Sequence, residues 1–245
     1  MKLTSTEIFK NINFPEIQEY KDALFFDFSA SNCDFNGAVF LSCSFKNCIF
    51  RNCNLSNCRF FSNVIFDGCI FEYCDFRSVG LLGTKFEKCF FEKCDMRGLN
   101  LDSAKWTKCE IKNCNFRDIS LHSWNWIECK FSGTLREIKF LGKNNSKFFL
   151  DFSDCKLDCV EFFDCDISKC IPPKNKKHHF INNLSVYIEK SEFVVKDMPE
   201  DVKKIIERRL KKLRGMRQYI FNVESLKKIE DKMVVDALLE IFDLF

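Results

Sequence analysis

At 245 residues, with sixteen cysteines and a formal net charge of +3, the chain is far longer than a loop-rich, disulfide-stapled secreted domain. Met1–Tyr20 lacks the basic, apolar and small-residue series of a signal peptide. No apolar run approaches the roughly 20 residues of a membrane span, so a cytoplasmic protein without a membrane partner is expected.

Residues 1–22 read as an N-terminal cap, with Thr4 or Ser5 ahead of Glu7 predicting the start of a short helix. From residue 23 a period of five takes over. Large apolar residues recur at Phe35, Phe40, Phe45, Phe50, Leu55 and Phe60. After one inserted residue they resume at Phe66, Phe71, Phe76, Leu81, Phe86, Phe91, Met96, Leu101, Trp106, Ile111, Phe116, Leu121, Trp126 and Phe131. Two residues before most of them stands a cysteine, and only Cys159 of the sixteen is off this lattice. Period five is neither helical nor that of a simple strand, and it requires a backbone that turns a corner every five residues.

The motif Cys/Ala-x-Phe/Leu-x-x over residues 33–133, and again over 150–171, resembles the pentapeptide-repeat family. The resemblance covers about half of the chain. It implies a mainly β fold, a right-handed quadrilateral β-solenoid in which four pentapeptides make one square coil and the large residue and the one two before it point inward. Residues about twenty apart then stack. Cys33, Cys53, Cys74, Cys94 and Cys114 form one inner column, and Cys48, Cys69, Cys89, Cys109 and Cys129 form another. Phe35, Leu55, Phe76, Met96 and Phe116 accompany the first column as structural core. Coils about 4.8 Å apart with parallel Cβ vectors suit reduced thiols packing as small hydrophobes rather than disulfides. Neighbouring cysteines fall on different faces and His122, His178 and His179 are not interleaved with them, so no zinc site is expected.

Residues 134–149 interrupt the period, with Ile138 and Phe140 in an irregular turn and Gly142–Lys147 as a loop. Just before, Trp124 occupies a small inward position that should not hold it, which predicts a distorted coil. Pro172-Pro173 and the basic stretch 174–179 mark a boundary, so the solenoid is assigned to 23–171 and a linker with a C-terminal helical element to 172–245. Leu184–Val195 has strand composition. Two amphipathic helices follow, one from Pro199 with apolar residues to Ile220, the other from Asn222 with a stripe of Leu226, Ile229, Met233, Leu238 and Ile241. That second stripe is a candidate homodimer or docking helix.

No phosphate loop, metal-ligand spacing or nucleophile pattern is visible, so no catalytic residue, metal or cofactor is expected. Function then lies on the outside. Arg77, Arg97 and Arg117 stack beside Asp75, Asp95 and Asp118, either as a cationic ladder or as solvated ion pairs, with the pairs favoured. Ile49, Ile70 and Phe90 form one outward apolar column, and Leu41, Phe61 and Leu82 another, either a contact surface or a surface covered by other parts of the chain. The helix after Pro199 is basic (Lys203, Lys204, Arg208, Arg209, Lys211, Lys212, Arg214, Arg217) but has few interleaved aromatics, so direct nucleic-acid binding is not expected. The family resemblance implies a protein-binding scaffold. Its most concrete version is a dimeric DNA mimic that modulates or protects DNA gyrase or topoisomerase IV and confers quinolone resistance. The charges of residues 21–171 balance to about zero, which departs from a polyanion mimic, although Asp151, Asp154, Asp158, Glu161, Asp164 and Asp166 form a local acidic run. The other reading is an adaptor, immunity or effector protein that binds another protein through the apolar columns and the C-terminal helices.

Overall fold

The computed structural model describes residues 2–4, 8–10, 19–99, 101–117, 119–147, 149–214, 216 and 218–244, with 2–4, 8–10, 102 and 144–147 as backbone only. The chain winds into a parallel β-solenoid of about seven square turns, followed by a C-terminal helical unit. The first face is a seven-stranded parallel sheet running from Lys2–Thr4 through Leu24–Phe26, Ser44–Lys46 and Ile65–Asp67 to Trp126–Ile127. The second is eight-stranded and includes Ser29–Ser31, Ile49–Arg51, Ile70–Glu72 and Phe90–Glu92. The third is held by single bridges, Asp34 to Asn54, Asp75, Asp95 and Asn115. The fourth carries Glu19–Lys21, Val39–Leu41 and Arg59–Phe61, then later Ser120–His122, Lys139–Lys147 and Glu161–Asp166.

The corner chemistry explains why the sequence turns every five residues. The residue before most small inward ones is left-handed: Asn32, Asn47, Asn52, Asn57 and Asn113 have φ between 51° and 58°. Asparagine tolerates this region better than most side chains. It also ties one coil to the next, as where Asn52 Nδ2 donates to Asn32 Oδ1 at 2.7 Å. The backbone adds interstrand bonds at the same place, such as Asn52 N to Glu72 O at 2.8 Å.

Inside, phenylalanine rings stack from coil to coil. Phe45, Phe66 and Phe86 lie in one column at 4.6 and 4.9 Å, and Phe50, Phe71 and Phe91 in another at 5.0 and 4.8 Å. Neighbouring columns meet edge to face, as Phe66 does Phe71 at 5.5 Å, the two geometries that aromatic quadrupoles favour. The cysteines of both inner columns are buried and unpaired as disulfides. Their thiols sit against carbonyls: Cys89 Sγ lies 3.4 Å from Phe66 O of the coil below and 3.4 Å from Glu87 O of its own. Burial pushes the thiols of Cys58, Cys155 and Cys165 up to about 12, so they are neutral at physiological pH.

Several expectations change. Lys2–Thr4, Ile8–Lys10 and Glu19–Lys21 are strands paired with Leu24–Phe26, Ser29–Ser31 and Val39–Leu41, so the described residues of the N-terminal cap segment extend the solenoid sheets, and Thr4 ends a strand rather than starting a helix. Ser5 and Glu7 lie outside the described residues. The solenoid also continues through 134–147: Lys139–Lys147 is a strand between Ser120–His122 and Glu161–Asp166, and Leu135, Ile138 and Phe140 point inward and are buried. A register shift between Leu141 and Ser146 absorbs the lost periodicity, because extra residues can bulge out of one strand while the ladder resumes beyond them. Trp124 is not inward. A 3₁₀ turn over Ser123–Asn125 buries Ser123 and Asn125 and turns Trp124 out, 4.4 Å from the His122 ring. Cys159, the off-lattice thiol, is exposed at a left-handed corner with φ 53°.

Beyond the last coil, where Phe152 N donates to Ile171 O, come four helices: α1 (Leu184–Val194), α2 (Glu200–Leu213), α3 (Val223–Ile229) and α4 (Lys232–Ile241). The segment expected as a strand is therefore α1. Its β-branched and aromatic residues suit a strand locally, but Leu184, Ser191 and Val195 are buried at helical spacing. Each predicted long helix is shorter than expected. α2 ends at Leu213, and Ile220 belongs to a strand, Tyr219–Asn222, that pairs antiparallel with His178–Ile181. The second is broken between α3 and α4 at Glu230-Asp231.

Candidate interaction surfaces

The outward residues are positioned by the same register that fills the interior. On the third face Arg77 holds Asp75 through two nitrogens, Nε at 2.9 Å and Nη2 at 2.6 Å, and Arg97 holds Asp95 in the same way. Hydrogen bonds from Arg97 hold the Asp95 carboxyl below the usual carboxylate range. Arg117 pairs instead with Glu137 at 2.8 Å, and Asp118 lies outside the described residues. The arginine ladder is thus a row of ion pairs. The second face continues the pattern, with Arg51–Glu72 at 2.5 Å and Lys112–Glu92 at 3.1 Å.

The acidic run near the rod's end is paired too. Lys130 and Lys174 lower the Asp154 carboxyl from either side at 2.8 and 3.2 Å. Burial works to raise the Asp158 carboxyl, yet the Ser225 hydroxyl and Arg136 hold it below its ordinary value. Glu161 lies 3.9 Å from Lys139, and Asp166 is buried.

The apolar columns are in register. Ile49, Ile70 and Phe90 are aligned on the second face and half-buried. On the fourth face Leu41 and Phe61 are half-buried and Leu82 is 64% exposed. The latter column gains a neighbour that sequence reading missed. Half-buried Ile65 lies on the first face, across the corner from Phe61; Leu24, 38% exposed, lies in the same first-face row two coils earlier, beyond Ser44. The inserted residue falls at that corner, where Ser62 and Asn63 are both left-handed. Gly80 matters here, because a Cβ would come within 2.9 Å of Arg59 and 3.3 Å of the Phe61 ring. Its absence lets both side chains lie over the next coil, and Arg59 Nη1 donates to Asn57 O and Ser78 O at 2.8 and 2.9 Å. Leu41, Phe61 and Leu82 therefore form an apolar stripe on the fourth face that Ile65 widens across the corner, with Ser44 separating it from Leu24. The signal available in sequence was the insertion itself, together with outward apolar residues on both sides of it.

The C-terminal stripe behaves differently. Leu226, Leu238 and Ile241 are buried against this chain's own helices, so they are not free to make a dimer; Ile229 and Met233 stay more than half exposed. The unit docks on the last coils. Gln218 Oε1 accepts from Ile167 N at 2.7 Å, and His178 Nε2 accepts from Leu157 N at 3.0 Å. Asn222 Nδ2 donates to Leu157 O, while its Oδ1 caps α3 by accepting from Glu224 N and Ser225 N. On α2, Val202, Ile206, Leu210 and Leu213 face inward, and Lys204, Arg208, Lys211, Lys212 and Arg214 face solvent. Arg209 pairs with Glu230, and Arg217 lies outside the described residues.

Five-residue corners, inward Cys and Phe columns and square coils now stand together, and a family model described as pentapeptide repeats (9 copies) matches residues 25–70 and 35–80. The chain is a pentapeptide-repeat protein. No curated protein sequence matches it. Among solved structures it is similar to full-length QnrB1, a plasmid-mediated fluoroquinolone resistance protein, at 21% identity over 68% of this chain and 89% of that one, with a TM-score of 0.42. It is also similar to HetL of the cyanobacterium Nostoc sp. strain PCC 7120, involved in heterocyst differentiation regulation, at 12% identity, 71% and 90% coverage and TM-score 0.29. A third is Rfr23 of the cyanobacterium Cyanothece 51142, at 16% identity, 44% and 84% coverage and TM-score 0.26.

The interior of the pentapeptide-repeat rod is filled: between Tyr20 and Phe71 the rings leave a void of about 40 Å³. No group of three or more His, Cys, Asp or Glu side chains able to hold a metal occurs among the described residues. No described helix is long and apolar enough to cross a membrane.

Proposed function

We propose that this protein is a non-catalytic scaffold that binds another protein along its rod. One observation carries the reading: the stripe of half-buried Leu41 and Phe61 and exposed Leu82, with Ile65 across the corner, aligns outward apolar side chains on the early coils, while the C-terminal unit docks at the opposite end. A contiguous apolar patch on a regular surface is a contact site rather than a reaction site. Sixteen free thiols suit a reducing compartment, which fits a cytoplasmic scaffold.

Modulation of DNA gyrase or topoisomerase IV is the most concrete version that the family suggests. Paired charge weighs against it as mimicry of duplex DNA, since Glu72, Asp75, Glu92, Asp95, Asp154 and Asp158 each hold a cation instead of forming an open acidic stripe. The adaptor reading is therefore preferred. The test immobilises the full-length protein and the double variant Phe61→Asp/Leu82→Asp, and identifies bound proteins from source-cell lysate. Partners lost with the variant support the stripe, and an unchanged set removes it. Purified gyrase in a supercoiling assay with a fluoroquinolone tests the topoisomerase version, which needs altered inhibition on adding the protein.

A further inference from the structure

A cavity of about 340 Å³ lies where the helical unit meets the rod, lined by Cys159 and Glu161 of the last coils, Arg208, Arg209, Lys212 and Leu213 of α2, the Tyr219–Asn222 strand, and Ile229, Glu230 and Leu238. A second void of about 60 Å³ shares Cys159, Arg209, Tyr219 and Phe221 and lies toward Leu157, Val160 and Leu226. The size is that of a small-molecule site, and a junction between two structural units is a common place for one. Its wall is apolar and aromatic: Leu213, Tyr219, Phe221, Ile229 and Leu238.

The charges at the rim are not balanced in the same way as those on the rod. Arg209 is committed to Glu230, with Nε at 2.7 Å from Oε1, and Glu161 has Lys139 at 3.9 Å. Arg208 and Lys212 are exposed, stand one helical turn apart on α2, and form no ion pair among the described residues. Every outward arginine described above on the rod has a carboxylate or a backbone carbonyl; Arg208 and Lys212 face the cavity mouth without one.

We infer that this cavity binds a small organic anion, its carboxylate or phosphate head held by Arg208 and Lys212 and its apolar body laid on Tyr219, Phe221 and Ile229. Two cations at one mouth supply charge-assisted bonds to an anionic head, and burying an apolar body supplies the remaining affinity. This site is independent of the stripe on the early coils, so loss of either leaves the other standing.

Cys159 makes the test direct, since it lines the cavity and is the exposed thiol; fourteen others are buried and Cys170 is intermediate. Full-length protein is titrated with decanoate and, separately, with adenosine monophosphate, and the rate of Cys159 alkylation is followed by peptide mass spectrometry. At least one of the two probes should slow alkylation several-fold. The probe that does so distinguishes an aliphatic carboxylate from a nucleotide. Arg208→Ala/Lys212→Ala should weaken that probe at least tenfold with an unchanged circular dichroism spectrum. Ile229→Asp, at an exposed position, should weaken the probe and leave the fold intact. Binding undiminished in both variants, protection by inorganic phosphate equal to that by either probe, or no protection by either probe would overturn the inference.

Discussion

Replacing Phe66 with alanine removes the middle ring of a column whose neighbours cannot move into the gap. Phe66 is 1% exposed, stacked 4.6 Å from Phe45 and 4.9 Å from Phe86, and edge-on to Phe60 at 5.2 Å and Phe71 at 5.5 Å. Its backbone is fixed by parallel ladders on both sides, to Ser44–Lys46 and Lys85–Glu87. Buried Phe→Ala changes cost about 3–5 kcal/mol in all, more where the site cannot collapse, and the aromatic pairs lost within that total, worth about 0.5–1.5 kcal/mol each, place this site toward the upper end. A loss of about 4–5 kcal/mol is expected. A solenoid coil touches only its neighbours, so this break should also uncouple the coils before it from those after and lower the denaturant slope. Urea unfolding followed by circular dichroism measures both, with half-buried Phe61→Ala as a control expected to cost about 1 kcal/mol. A loss from Phe66→Ala below about 1.5 kcal/mol, or equal to the control, would refute the stacked-column account.

Four further outcomes are expected. Stability should fall on the alkaline side, because the Cys58, Cys155, Cys165 and Cys170 thiols stay protonated to about 12 in the fold but ionise near 9.0 when unfolded. The stabilisation is complete below about pH 9 and is lost as pH rises toward 12, at up to about 1.4 kcal/mol per pH unit per thiol. Melting curves at pH 8 and 10.5 measure it, and Cys58→Ala should shallow the drop. Lys88→Asn should stabilise by about 0.5 kcal/mol in chemical denaturation, since Lys88 holds φ 52° at a corner where asparagine is the better fit. Asn222→Ala removes both the α3 cap and the bond to Leu157 O, about 1–3 kcal/mol together. Faster hydrogen exchange across α3 and α4 with an unchanged rod should follow, and uniform exchange would count against docking through this residue. Cys89→Arg should abolish cooperative melting, since an unpaired charge would enter a site where the thiol is 1% exposed; an unchanged melting temperature would show that the inward assignment is wrong.

Much of the fold was legible because one chemical rule repeats. Most corners take a left-handed residue, most small sites a low-volume side chain, and the large sites a ring or a large aliphatic side chain. These are local demands that a sequence states directly, coil after coil. Register then follows, since twenty or twenty-one residues return the chain to the same face, as Ile49, Ile70 and Phe90 show. What misled the reading was loss of the period without loss of the ladder. Between Leu141 and Ser146 the strand bulges while Phe140 and Cys165 remain inward, and a bulge erases periodicity but not pairing. At Trp124 three residues in a 3₁₀ turn rotated a large side chain outward, a choice set by volume inside the coil.

The sequence by itself determined the rod: its coil, its inward columns and its outward rows, because each is specified within twenty-odd residues of chain. The tertiary structure alone decided everything that depends on encounters between distant segments. It made a strand of Tyr219–Asn222 and placed it on His178–Ile181. It buried Leu226, Leu238 and Ile241 inside the chain's own helical unit and set Ile65 beside the Phe61 column across a corner. It also left Arg208 and Lys212 at the mouth of a cavity formed by residues more than fifty positions apart in the chain. Composition and spacing carry no information on such meetings, since the hydrophobic stripe of a helix states only that it must be covered and not by what.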